Sequence, residues 1–236
     1  MRFFSYESRF SQLLMKLSCS CLLNILWFIC SLPIFTIGAS TTALYYASLK
    51  VIRDEESHAW KLFFHSFKEN FKQATQLWLI LLGAGLFLSA DGYILFHLRR
   101  SSTGVMAVIW TLILALVIAA SVLYVIVLLY VFPLLASVHN TNANMLKNAF
   151  LIGTHYLFAT ILVFAVHFAM FFAVVAVFTP LIIFGEGLCV MVSSWILNSL
   201  LISVSGTPED YMEDESEEGP EELPVNTPDD SPEENA

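Results

Sequence analysis

Gly104 to Leu135 runs without one charged residue. As a helix rising 1.5 Å per residue it would reach about 48 Å, more than the ~30 Å hydrocarbon core of a bilayer. Three other stretches resemble it: about Ala74 to Leu98, about Tyr156 to Phe184, and Gly187 to about Ser205. Each reaches or approaches the roughly 20 residues that a crossing needs. Inside lipid the backbone must satisfy its own polar groups, which a helix does within a single segment. The chain therefore predicts an all-α fold, a polytopic membrane helix bundle of about five to six transmembrane helices. Amphipathic interfacial helices and a C-terminal tail complete it.

Charge is scarce and unevenly placed. Only 13% of the chain is charged and 57% is hydrophobic, whereas soluble domains carry about 25% charged residues. Residues 1–206 hold 11 basic and 7 acidic groups, and residues 207–236 hold 13 acids and no base, so the net −9 splits into +4 and −13. That tail has five prolines and one aromatic, Tyr211. It cannot bury enough apolar surface to fold and is expected to be disordered. The chain thus divides into a membrane domain, 1–206, and an acidic tail, 207–236.

The stretch Leu22–Arg53 fixes the expected topology. An apolar helix runs into Ser31-Leu32-Pro33, and Pro33 lacks the amide hydrogen a continuing helix requires. Thr36-Ile37-Gly38 reads as the break, since Gly38 accepts backbone angles that other residues avoid. Such a break at membrane depth must be covered by protein or water. Ala39, Ser40, Thr41, Thr42 and Ala43 are small, which permits close helix approach before Leu44. Ahead of this hairpin, residues 2–18 read as an amphipathic entry helix, with Arg2, Arg9 and Lys16 opposite Phe3, Tyr6, Phe10, Leu13, Leu14 and Leu17. A cleaved signal peptide is not expected, because apolar segments keep following.

A second amphipathic helix is expected to start at Asp54-Glu55-Glu56-Ser57. Trp60, Phe63, Phe64, Phe67 and Phe71 fall within roughly a 100° arc, and Lys61, His65, Lys68, Glu69 and Lys72 fill the other side. One reading is a helix lying among lipid headgroups. The other is an aromatic stripe packed on the transmembrane bundle. Both place it at the cytosolic surface. Further on, His139 to Asn148 reads as a polar connection between spans. Pro133, preceded by Val131-Phe132, echoes Pro33 weakly, and the echo reads as coincidence.

Orientation follows from basic residues, which collect on the cytoplasmic side. If Leu22–Arg53 goes in and returns, Arg2, Arg9, Lys16, Lys50, Arg53, Lys61, Lys68, Lys72 and Lys147 lie inside, and only Arg99 and Arg100 outside. A single crossing would split them almost evenly. Both termini are therefore expected in the cytoplasm of a cell with this protein in its cell membrane. The return helix, Ala39 to Arg53, is about 22 Å long and leaves open whether it spans or is re-entrant.

The residues Asn24-Ile25-Leu26-Trp27, Ser31 to Ala39, Thr42-Ala43-Leu44-Tyr45 and Phe67 to Thr75 together resemble the YesL-like family of bacterial integral membrane proteins. The resemblance is specific over about residues 5–80 and hydropathic from there to about 206. The family is a domain of unknown function. The resemblance implies a role near carbohydrate uptake or its regulation and brings no catalytic residues.

Candidate polar sites are sparse. Intramembrane acids are functional candidates by default. Asp91, Arg99 and Arg100 fall near the outer face, with Glu186 in an outer Gly185-Glu186-Gly187 turn, and together they read as an outer polar cluster. The plain alternative is an acid near the headgroups, paired or wet. His167 sits mid-span and reads as bonded to a neighbouring helix rather than as a proton relay, and Asn24 and Asn198 read likewise. Cys19, Cys21, Cys30 and Cys189 lack disulfide or zinc spacing. No nucleotide-binding loop, metal set, cofactor motif or catalytic constellation is present, so neither an enzyme nor a cofactor is expected. The leading expectation is an accessory or scaffold protein of a sugar transporter; a small oligomeric transporter or channel is the second. Lipid is the expected surrounding partner, and nucleic acid is not expected.

Overall fold

A computed structural model describes residues 9–53, 58–176 and 182–205. These form α1 (Arg9–Cys30), a 3-10 turn (Ile34–Thr36), α2 (Ile37–Ile52), α3 (Ala59–Ser101), α4 (Val105–Leu135), α5 (Asn142–His155), α6 (Leu157–Ala176) and α7 (Ile182–Ser205). The tail, residues 1–8 and the acids 54–56 lie outside the described residues. By length and composition α3, α4, α6 and Gly185–Ile202 of α7 can each cross a membrane. The chain is a multi-pass helical membrane protein. The hairpin supplies two shorter elements, an apolar Met15–Cys30 in α1 and the 16 residues of α2.

α2 is the centre of the bundle. Gly38, Ala39, Ser40, Thr42, Ala43, Leu44, Tyr45, Ala47, Ser48, Leu49 and Val51 are all buried. α1, α3, α4 and α7 surround it. Its small side chains allow neighbouring backbones to come near, and burial follows from that closeness rather than from bulk.

Gly38 illustrates the closeness and corrects its expected role. It lies in the first turn of α2, not in a break, and its backbone is not left-handed. A Cβ there would stand 2.6 Å from the Ala74 carbonyl oxygen and 2.6 Å from the Trp78 Cβ. The glycine is needed for contact with α3. The break itself is Pro33 and the 3-10 turn, after which the helix resumes at Ile37.

α3 also departs from expectation. The aromatic helix and the following span are one helix of 43 residues, about 65 Å long. No proline occurs within it, and no glycine occurs before Gly83. Lys72-Gln73-Ala74-Thr75-Gln76 therefore carries the helix on without a stop. Its first half runs antiparallel to α2, with His65 near Tyr46 at one end and Trp78 near Gly38 at the other. Its second half pairs with α4 beyond the hairpin. Gly104 makes the tight return between them at φ 64°, a conformation that favours glycine.

The connection after α4 folds further than its polarity suggested. Asn142 begins α5, whose Met145, Ala149 and Gly153 are buried at a spacing of four. A Cβ on Gly153 would collide with Ile126 and crowd Tyr130, so α5 lies flush on α4. Pro133 sits inside α4, whereas Pro33 follows the end of α1. The two prolines are not structural equivalents.

Candidate functional site

The hairpin turn is held by its hydroxyls. The Thr36 hydroxyl donates to the carbonyls of Cys30 (2.6 Å) and Pro33 (2.7 Å). Ser31 and Ser40 share a 2.6 Å bond. Thr42 donates to the Gly38 carbonyl at 2.9 Å. The Trp27 indole donates to Thr41 Oγ1 at 3.1 Å, and the Trp78 indole to the Ile34 carbonyl at 2.8 Å. The bonds to the Cys30 and Ile34 carbonyls occupy backbone groups at the proline break. Ala39, Ala43 and Leu44 are fully buried beneath them. Leu32, at 68% exposure, joins Ile34 and Phe35 in an open apolar tip.

A second polar group lies deeper, between α1, α2, α6 and α7. Asn24 Oδ1 of α1 accepts the Gly187 backbone N–H at 2.7 Å. Asn24 thus crosses to another helix as its sequence context suggested. Gly187 permits that approach, since a Cβ would stand 2.6 Å from the Ser20 carbonyl oxygen and 2.8 Å from the Asn24 Cβ. The adjacent Glu186 interacts electrostatically with Tyr45 of α2 and His167 of α6. Tyr45 also neighbours Ser193, seven residues after Glu186 and on the same helical face. The Ser20, Ser193 and Ser194 hydroxyls are buried and close no hydrogen bond among the described residues.

This arrangement overturns the outer cluster. Glu186 is inside α7, not in a turn, and lies within electrostatic range of Tyr45 on α2 and His167 on α6. Arg99 donates to Thr111 Oγ1 of α4 at 3.0 Å, and Asp91 stands about two turns away from it. Asp91 makes no ion pair among the described residues. Asp91, Arg99 and Glu186, three of the four residues of the expected cluster, are therefore separated rather than assembled. His167 places Nδ1 2.9 Å from the Val163 carbonyl of its own helix, so its hydrogen bond is local rather than interhelical. Asn198 does join helices, accepting from Arg53 Nε at 2.7 Å.

Tyr45, Ser193 and Ser20 were not picked out as site residues from sequence. Glu186 and Ser193 share a face only if residues 182–205 are helical throughout, and the Gly-Glu-Gly motif argued for a turn. Tyr45 was visible only as the end of a family motif. Among the described residues, no three His, Cys, Asp or Glu side chains gather to hold a metal ion. The arrangement places a carboxylate within electrostatic range of an imidazole and a phenol, beside buried hydroxyls.

The aromatic helix proves to be split. The buried seam of α3 runs Ala59, Leu62, Phe63, Ser66, Asn70, Ala74, Leu77, Leu81, with steps of three and four apart from the adjacent pair Leu62 and Phe63. Phe63 alone of the aromatic stripe is fully buried; Trp60 is 48% exposed and Phe64 37%. Phe67 and Phe71 lie partly buried on the shoulder. Phe63 contacts Phe64 and Phe67, and Phe67 contacts Phe71, in a ladder with ring centroids 5.5–6.2 Å apart. The small polar residues Ser66 and Asn70 are also buried in the seam, and the Asn70 amide donates to the Ser66 hydroxyl at 3.2 Å. Lys61, Lys68 and Lys72 are exposed on the far side.

A family model described as a protein of unknown function, DUF624, matches residues 21–92. The match runs from α1 through the hairpin and α2 to Gly92 of α3, and so covers the hydroxyl-braced turn and the α2–α3 seam. No curated protein and no solved structure matches the chain.

Proposed function

We propose that the protein is a non-enzymatic accessory or scaffold subunit of the cell membrane, associated with carbohydrate uptake and with both termini in the cytoplasm. The sugar connection comes from the YesL-like resemblance, and the orientation from the nine-to-two distribution of basic residues. The observation that carries the scaffold reading is the open flank of α3 and α4. Phe87, Tyr93, Leu112 and Leu116 are all more than 60% exposed, and the two helices bury little against the rest of the bundle. Such a surface serves lateral contact with lipid or another membrane protein. The hairpin hydroxyls, by contrast, are turned inward on the protein's own backbone.

A specific observation favours a second reading, a small oligomeric transporter or channel. Glu186 of α7 lies within electrostatic range of Tyr45 on α2 and His167 on α6, and ionisable groups inside a membrane bundle commonly mark an ion or proton route. Co-purification of the tagged chain from its native membrane separates the two. A transporter subunit in the eluate supports the scaffold; a self-oligomer alone, with uptake abolished by Glu186→Gln, overturns it in favour of the transporter.

A further inference from the structure

We infer that the lysine face of α3 is a docking site for the protein's own acidic tail, residues 207–236. Lys61, Lys68 and Lys72 fall within roughly 40° of arc on the side of α3 away from α2. They span about 17 Å along the helix. None makes an ion pair among the described residues. Lys61 rests its ammonium 5.7 Å from the Trp60 ring centroid, a contact that leaves its outward donors available. Glu69, the one acid among the described residues of this stretch, turns its oxygens to the flank, 3.3 Å from His65 and 3.6 Å from His139. Among the described residues the three lysines therefore form a row of cations in no ion pair.

The tail supplies the counter-charges and starts close enough to deliver them. Nine of its 13 acids fall between Glu209 and Glu222, with no base among them. The described chain ends at Ser205 in α7, just beyond Asn198, which is bonded to Arg53. Arg53 closes α2, and α3 begins six residues later at Ala59. The exit of the tail and the start of the lysine face therefore sit at the same end of the bundle. α7 and α3 flank α2, and two interaxial distances of 8–10 Å separate them by about 20 Å. A flexible chain of 15 residues has a root-mean-square reach of about 20 Å and a maximum near 50 Å. Tethering converts a weak charge contact into an intramolecular one at roughly millimolar effective concentration. A bound tail covers the cations that would otherwise meet anionic headgroups or an acidic partner surface. This inference does not depend on the scaffold reading, because it concerns the isolated chain.

The test uses the full chain in nanodiscs of uncharged phosphatidylcholine. A zero-length carbodiimide cross-linker joins amines only to carboxylates in contact, and peptide mapping locates the joins. At low salt the acids of 209–222 should couple to Lys61, Lys68 and Lys72, and the yield should fall several-fold in 0.5 M NaCl as screening shortens the Debye length. Removal of 207–236 should raise the acetylation rate of Lys68 and Lys72 several-fold in the same nanodiscs. Coupling that goes chiefly to Lys16 or Lys50, or acetylation unchanged by removal of the tail, overturns the proposal. Lysines that are protected only when phosphatidylglycerol is added, with or without the tail, would identify the occupant as a lipid headgroup and overturn it as well.

Discussion

α2 and the outer arm, formed by the second half of α3 and the first half of α4, are built from opposite materials. α2 is rich in small and hydroxylated residues, and 11 of its 16 residues are buried. The arm is made of Leu, Ile, Val and Phe, and most of its surface is open. In water the more apolar element would be the core. Here apolar bulk faces a solvent as apolar as itself, so helices gain little by hiding it. What they gain from one another is close backbone contact and hydrogen bonds, which small and hydroxylated residues supply. Hydropathy therefore marks where this chain meets lipid, and small residues mark where it packs.

The sharpest way to break the comparison is to remove the same ring from each region. Phe63 is fully buried between α3 and α2, whereas Phe87 on the arm is 71% exposed. Phe63→Ala should cost about 3–5 kcal/mol, as buried aromatic truncations do. Phe87→Ala should change little, since lipid chains fill the space. Reversible unfolding by SDS in mixed micelles measures both. Equal losses would mean that the arm is packed after all, against a partner chain that survives purification.

Much of the architecture was legible for a physical reason. Each of the four apolar stretches is long enough to declare itself, so the apolar half of α3 and the helices α4, α6 and α7 were placed from length alone, whereas the polar start of α5 concealed a helix. Pro33 announced the end of α1 because no residue can supply its missing donor. Three features were hidden. α3 continues through residues 72–76 because nothing there stops a helix, yet a change from charged to apolar residues looked like a boundary. The buried seam of α3 contains Ala59, Ser66, Asn70 and Ala74, which a search for apolar periodicity passes over in favour of the neighbouring rings. Glu186 looked like part of a loop because glycines flank it, but Gly187 is there to let α1 approach. In each case the deciding factor was the distance to another helix, which no single segment records.

Glycines give a second contrast, of intermediate size and opposite sign. A Cβ at Gly38 meets the Ala74 carbonyl and Trp78, whereas at Gly83 nothing lies within 4 Å. Gly38→Ala forces α2 and α3 apart and should cost about 1–3 kcal/mol, as overpacking does. Gly83→Ala meets no obstacle and should gain up to about 1 kcal/mol from helix propensity. The pair can be compared by SDS unfolding in one lipid mixture. A neutral Gly38→Ala would show that the α2–α3 contact is loose and that the burial of α2 has another origin.

The smallest effect concerns a polar tie between the arm's helices at its base. The Tyr124 hydroxyl donates to the Leu81 carbonyl at 3.0 Å, and its ring fills the space beside Gly85. The Leu81 carbonyl already accepts its own helical bond, so the added bond serves the tyrosine more than the backbone. Tyr124→Phe keeps the ring and removes only the donor. Interhelical hydrogen bonds in membranes average about 0.6 kcal/mol, because an unfolded helix in lipid also finds partners. A loss near that value is expected, far below the cost at Phe63. Gly85→Ala would press on the same hydroxyl, so a double-mutant cycle can separate the bond from the fit of the ring. If Tyr124→Phe alone cost more than 2 kcal/mol, the arm would be held as specifically as α2, and the division between a packed centre and a lipid-facing arm would fail at its base.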